Sequence, residues 1–259
     1  MANPLDAEVH PRKRLTGRNA DFPWDDFDSE SYTTHNYAVL RWDDRSVLEL
    51  VRDYFEAVAP GHLVKGVDVG SGANIYPALT LLPWCKEISM IEQSARNVAW
   101  LANEIRSYNS TWDPFWDVLR SRPGYQTVTD PRTTLARHAR VSQGSVFDLE
   151  RGRWDIGTMF FVAESLTSER SEFDRAVGCF LAALRPGAPF AAAFMEGSEG
   201  YTVGTREFPA VAIDADDVHA CLVGQTKDLH VDRVGIIGGD VLLREGYTGM
   251  VLARGMTKT

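Results

Sequence analysis

GVDVGSGANIYPAL, residues 66–79, carries the reading of the fold. Gly66-Val67-Asp68-Val69 is short and mostly apolar, as a buried strand is. Gly70 and Gly72 then bracket Ser71, and from Asn74 onward Ile75, Tyr76, Ala78 and Leu79 take up a helical rhythm. A strand running through a glycine turn into a helix opens a βαβ unit, and such a turn brings backbone N–H groups close to a bound ligand.

The flanking sequence repeats the pattern. Strand-like runs occupy 63–69 (LVKGVDV), 87–91 (EISMI), 140–146 (RVSQGSV), 155–162 (DIGTMFFV) and 189–195 (PFAAAFM). Helix-like runs cover 74–82, 94–107 and 169–184, the last ending at Arg185-Pro186-Gly187, a stop signal. Strands alternating with helices predict an α/β fold with a parallel sheet. A helix is expected over 44–58, with Val47, Leu48, Val51, Tyr54 and Phe55 on one face, and another over 214–225. Strands are expected over 228–237 and 246–254. Residues 108–139, with three prolines and two tryptophans, break the rhythm and read as an insertion or a long connection.

The bulk composition bounds the function. A chain of 259 residues, 44% hydrophobic, fits one α/β domain with a sizeable core. Its net charge of -9 makes it a poor partner for nucleic acid, whose grip on proteins comes mostly from Lys and Arg on phosphates. Cys85, Cys179 and Cys221 are widely spaced and odd in number, which argues against a disulfide framework or a zinc site and for a reducing compartment. None of the six histidines has metal-ligand spacing with Asp, Glu or Cys, so no metal is expected. Residues 1–21 are polar and basic, without a signal-peptide core, and read as a mobile arm. No apolar run is long enough for a membrane span, and a cytoplasmic monomer is the expectation.

The glycine turn admits several ligands, and a tight ligand-free connection is the bland alternative. It is no P-loop, because Gly-Lys-Ser/Thr does not follow. Ile75 stands where a dinucleotide fingerprint needs its third glycine. Glu92 ends the next strand about 20 residues on, a position suited to the vicinal hydroxyls of a ribose. Asp68-Val69-Gly70-Ser71-Gly72 followed by that acid resembles class I methyltransferases dependent on S-adenosylmethionine (SAM).

With its neighbours, the stretch resembles the family of nicotinamide, phenylethanolamine and indolethylamine N-methyltransferases. Its members carry D-I-G-S-G-P-T-x-Y, a strand ending in T-D, and an Asn five residues further on. Asp68, Gly70, Ser71, Gly72, Tyr76, Glu92 and Asn97 stand at those places, with Ala73 departing from Pro and Glu92 from Asp. Residues 22–42, rich in aromatics, hold Tyr32, Asn36, Tyr37 and Arg41 in the pattern of the family's N-terminal lid, with Trp24 ahead of them. STWDPF (110–115) and YTVGTREF (201–208) resemble two further family stretches.

The resemblance implies a Rossmann-like class I methyltransferase with a seven-stranded, mostly parallel sheet, helices on both faces and an aromatic lid. It implies SAM as cofactor, held by Tyr32, Tyr37, Asp68, Gly70, Ser71, Gly72, Asn74, Tyr76, Glu92, Gln93, Asn97 and Phe160. Ser145 falls where the family has an acid near adenine, and Ser145 with Val146 is expected to serve there. Glu164 and Glu245 align with amine-binding carboxylates, and the loop 195–201 adds Glu196 and Glu199 as candidates. Trp24, Asn36, Arg41, Phe161 and Tyr201 are the expected acceptor-binding residues. The expected activity is methyl transfer from SAM to the nitrogen of a small amine or N-heterocycle. An O- or S-methyltransferase and a non-catalytic SAM binder are the alternatives.

Overall fold

A computed structural model describes residues 15–62, 64–236 and 243–258. Residues 1–14 of the expected arm, and the strand-end residues Leu63 and Ile237, lie outside the described residues. The first part of the chain forms α1 (Ser29–Tyr37) and α2 (Trp42–Val58), then β1 (Val64–Val69), α3 (Tyr76–Leu81), β2 (Cys85–Glu92) and α4 (Ala95–Glu104). Three short helices follow, α5 (Asp113–Leu119), α6 (Pro123–Gln126) and α7 (Pro131–His138), leading to β3 (Ala139–Gln143) and β4 (Ile156–Phe160). The remainder is α8 (Arg170–Ala183), β5 (Pro189–Glu196), the hairpin β6 (Gly200–Val203) and β7 (Arg206–Pro209), α9 (Ala215–Leu222), β8 (Thr226–Gly235) and β9 (Gly249–Thr257).

Seven strands form one sheet in the order β3-β2-β1-β4-β5-β9-β8. β1 to β5 run parallel, and β9 inserts antiparallel between β5 and β8. The chain steps outward from β1 to β3, then returns to lay β4 beside β1 on the other side. That reversal leaves a crevice at the carboxyl ends of β1 and β4, where open α/β sheets bind ligands.

The sheet is covered on both faces, so its central strands are mostly apolar. Every residue of β4 and β5 is buried. Successive side chains of β5 point to opposite faces. Ala191 and Ala193 pack with α2, α3 and the 108–139 segment, while Phe190, Ala192 and Phe194 pack with α8 and α9. In α2 the buried apolar residues are the expected Val47, Leu48, Val51, Tyr54 and Phe55, and the Tyr54 hydroxyl donates to Gly255 O at 2.6 Å.

Four details differ from the sequence reading, each for a local reason. The helix after the glycine turn starts at Tyr76, because the Asn74 side chain accepts from Tyr76 N–H and keeps Asn74 in the turn. β4 stops at Phe160, because Phe161 takes φ +61°. The last strand runs 249–257, since residues 243–248 form a turn with Gly246 at φ +73°. Residues 108–139 are largely helical and belong to the core: Trp112, Phe115, Leu119, Tyr125 and Leu135 are fully buried, and the Tyr125 hydroxyl reaches Thr80 O at 2.9 Å.

Gly157 in β4 lies under α8, where a Cβ would sit 2.8 Å from Leu184 Cδ2 and 3.1 Å from Phe180 Cε2. Overpacking of that kind costs about 1–3 kcal/mol. Gly157→Ala should therefore lower the thermal midpoint by several degrees, read by calorimetry, with the helical circular-dichroism signal unchanged.

Candidate active site

The site is built on the Gly70–Gly72 turn. Gly70 and Gly72 take φ +67° and +57°, a region in which a side chain is strained. A Cβ on Gly70 would also lie 2.6 Å from the Val162 methyls. The turn is locked to the end of β2: Gly70 N–H donates to Ile91 O at 2.7 Å, and Gly72 N–H to Glu92 Oε2 at 2.8 Å. Glu92 Oε1 accepts from Ser94 N–H at 2.8 Å and from the Asn97 amide at 3.5 Å. Burial pushes the Glu92 carboxyl above its usual range, and these donors oppose that shift. Asp68, at the end of β1, accepts from the Thr158 hydroxyl through Oδ1 at 2.8 Å. Its Oδ2 is buried without a partner, and burial pushes the carboxyl up to about 7.

The N-terminal segment closes over this turn. Ser29 Oγ donates to Asn97 Oδ1 at 2.7 Å, Thr33 Oγ1 to Ala73 O at 3.2 Å, and Asn74 Nδ2 to the Tyr37 hydroxyl at 3.2 Å. Docking begins ahead of residue 22: Ser168 Oγ accepts from Gly17 N–H, Glu172 from Asn19 N–H, and the Asn19 amide donates to Gln93. Trp24, Phe27 and Tyr32 meet the β6–β7 hairpin, where Phe208 stacks between Trp24 (5.2 Å) and Tyr201 (5.5 Å). The result is a roofed cleft with a cavity volume of about 100 Å³.

Beyond the turn, the wall is made by residues after β4 and before β9. Phe161 holds its positive φ while its N–H donates to Ala193 O at 2.6 Å, so a strained backbone aims this ring into the cleft lining. Ser165 Oγ donates to Glu164 Oε1 at 2.9 Å and accepts from Arg244 Nη1 at 2.6 Å. The Arg244 guanidinium lies 4.1 Å above the Tyr201 ring. Glu164 is fully buried; Met195 N–H also donates to its Oε1, its Oε2 has no partner, and burial raises its pKa while Arg244 opposes the shift.

Of the expected cofactor residues, Tyr32, Tyr37, Gly70, Ser71, Gly72, Asn74, Glu92, Gln93, Asn97, Val146 and Phe160 line this one cleft, as do Trp24, Phe161 and Tyr201. Asp68 and Tyr76 stand behind the lining, Tyr76 with its hydroxyl on Asp44. Ser145 caps the turn that carries Val146. Asn36 bonds back to Tyr32 O, and Arg41 pairs with Asp43, so neither lines the cleft. Glu164 sits behind Ser165. Glu196 is held away by Arg233 and Thr248, Glu199 is outside the lining, and Glu245 is exposed. Asn19, Ser165 and Arg244 line the cleft without any spacing signal in the sequence; the places of Ser165 next to Glu164 and of Arg244 next to Glu245 could have drawn notice. Among the described residues no helix is long and apolar enough to cross a membrane, and no group of three or more His, Cys, Asp or Glu could hold a metal ion.

Comparison with solved structures identifies the fold. The N-methyltransferase NodS from Bradyrhizobium japonicum, solved with S-adenosylhomocysteine (SAH), superposes with a TM-score of 0.52 at 11% identity, covering 88% of this chain and 99% of that one. A SAM-dependent methyltransferase from Clostridium acetobutylicum gives 0.56 at 12%, covering 90% and 100%. The 1,6-didemethyltoxoflavin-N1-methyltransferase of Burkholderia thailandensis, with its substrate and SAH bound, gives 0.54 at 13%, covering 99% of each chain. No curated protein matches the chain by sequence. Sheet order and crevice are those of a class I SAM-dependent methyltransferase. The chain belongs to the NNMT/PNMT/TEMT family, whose model matches residues 18–241, and is a SAM-dependent methyltransferase. Its own residues fit that cofactor: Gly70 and Gly72 bring bare backbone to the cleft lining, and the Glu92 carboxylate beside them keeps acceptor capacity.

The raised Asp68 pKa has a sign that can be checked. An unfolded Asp titrates near 3.9, so between about 4 and 7 the folded chain keeps a proton that the unfolded chain has lost. This group's contribution to stability therefore falls as pH rises across that window. Asp68→Asn, measured by urea unfolding of the ligand-free protein, should gain stability relative to the parent from pH 4 to pH 7. A pH-independent difference would contradict the assignment.

Proposed function

We propose that this chain transfers the SAM methyl group to the nitrogen of a small amine or N-heterocycle. The observation that carries the reading is the continuity of one aromatic-walled cleft from the Gly70–Gly72 turn to Ser165. In this reading Glu92 accepts from the ribose hydroxyls, with Asn97 and Ser94 fixing its orientation. Val146, presented by the Ser145 cap, borders the adenine. Tyr32, Tyr37, Asn74 and the glycine turn hold the amino-acid end, with Asp68 behind it.

When bound, SAM supplies a methyl group on a sulfonium sulfur, which the acceptor nitrogen takes as the S–C bond breaks, leaving SAH. The protein's task is to align the acceptor and exclude water. Phe161 and Trp24 give a π-rich wall that favours a cationic centre, while the Tyr201 ring is taken by Phe208 and Arg244. The roof of α1 and the β6–β7 hairpin closes the site. An acceptor N–H must also lose a proton. Ser165 Oγ is the group to receive it, because its own proton already points at Glu164 Oε1. Burial makes the Glu164 carboxylate a stronger base than an exposed one. Glu196, whose carboxylate is occupied by Arg233 and Thr248, has no part in this scheme.

Two measurements test the reading. Incubation with methyl-labelled SAM and a pooled panel of amines should yield a labelled N-methyl product with matching SAH; label recovered only on oxygen or sulfur would replace nitrogen as the acceptor. Glu164→Gln should lower kcat by about 10²-fold or more while leaving the Kd for SAM unchanged. In the parent, kcat should fall as pH drops through the raised Glu164 pKa, and the variant should lose that limb.

A further inference from the structure

We propose that Arg244 is the carboxylate-recognising residue of the acceptor site, and that the acceptor is an amino acid rather than a simple amine. The inference rests on reading the cleft as a site of nitrogen methylation, and it names the acceptor class.

Arg244 is only 6% exposed, yet it lines the cleft. Its partners among the described residues are two hydroxyls, Ser165 Oγ at 2.6 Å and the Tyr32 hydroxyl at 3.5 Å, and the face of Tyr201. A guanidinium has five N–H donors in a planar fork that matches a carboxylate, and among the described residues two of them are engaged. A buried cation is costly unless it is paired with an anion. Glu164 is the nearby carboxylate, but Ser165 stands between them: Arg244 donates to Ser165, and Ser165 donates to Glu164. The two opposite charges are thus held apart by one hydroxyl, beside the same cleft.

That arrangement suits a molecule with the opposite polarity. A carboxylate placed on the Arg244 fork leaves the neighbouring nitrogen beside Ser165, with the Glu164 charge behind it. A plain alkylammonium in the same place would face Arg244 without compensation. A ligand carboxylate has two sources, the acceptor and the methionine end of SAM. Arg244 enters from the turn before β9, with β4 and β5 between it and the Gly70–Gly72 turn that takes the amino-acid end of SAM; its short contact is to Ser165, while the Tyr32 hydroxyl, on the SAM side, is 3.5 Å away. That position favours the acceptor.

The test compares α-amino acids with their decarboxylated counterparts: phenylalanine with 2-phenylethylamine, tryptophan with tryptamine, tyrosine with tyramine, histidine with histamine. Binding to the SAH-saturated protein is measured by calorimetry, and methylation with labelled SAM. At least one acid should bind about tenfold or more tightly than its amine. Arg244→Gln should erase that preference and leave the Kd for SAH within about twofold. If no acid outbinds its amine in the parent protein, the assignment is overturned whatever the variant does; methylation of the amines would then leave the nitrogen reading standing. If Arg244→Gln weakens SAH and keeps the preference, Arg244 belongs to the cofactor and the assignment is likewise overturned. If an acid binds through Arg244 but the label lands on its carboxylate as an ester, Arg244 keeps its role and the nitrogen reading fails.

Discussion

The Glu92 carboxylate is the joint on which the site depends. One of its oxygens holds the Gly72 N–H, the other the Ser94 N–H, so a single side chain ties the turn after β1 to the start of α4. Without that tie, two left-handed glycines would leave the turn with many conformations. With it, the turn is rigid before any ligand arrives, and the lid has a fixed surface to close on. Asn97 passes the constraint outward: it donates to Glu92 and accepts from Ser29, the first residue of α1. The glycine turn and the docking of the lid therefore share one hydrogen-bonded chain.

A second buried polar cluster anchors the other end of the lid. Tyr76, just past the glycine turn, donates to Asp44, and Tyr247 donates to Asp43. Burial, with the charge of Asp43 beside it, pushes Asp44 up to about 7. Tyr37 packs edge-on to Tyr76 and against Trp112 and Phe115. The segment 108–139 is thus the floor on which the lid tyrosine rests, which explains why a stretch that looks like an insertion is packed with buried aromatic rings.

Methyl transfer needs little chemistry from the protein beyond alignment, dryness and a route for one proton. The cleft supplies these from separate parts of the chain. In the proposed reading, the β1 and β2 ends hold the cofactor side, the lid and hairpin rings exclude water, and the turn after β4 carries Ser165 as the proton acceptor. Strain is concentrated at Phe161, a non-glycine residue at positive φ, held by its hydrogen bond to β5. In the proposed reading, specificity falls to the few polar groups on the far wall, Arg244 foremost.

By itself the sequence determined the strand–turn–helix at 66–81, the alternation that makes a parallel sheet, the acid at Glu92 and the aromatic character of the lid. These are local patterns: periodicity, glycine at a tight turn, an acid at a strand end. Which acids reach the cleft was decided only by tertiary structure. Glu164, Glu196, Glu199 and Glu245 look alike as loop carboxylates, but their surroundings differ. Arg233 and Thr248, distant in sequence, take Glu196, while Ser165 stands in front of Glu164. Arg244 was invisible for the same reason, since its neighbours Ser165, Tyr32 and Tyr201 come from three other segments. A side chain's charge can be read from its name, but what that charge faces is set by the packing of strands and loops far apart along the chain.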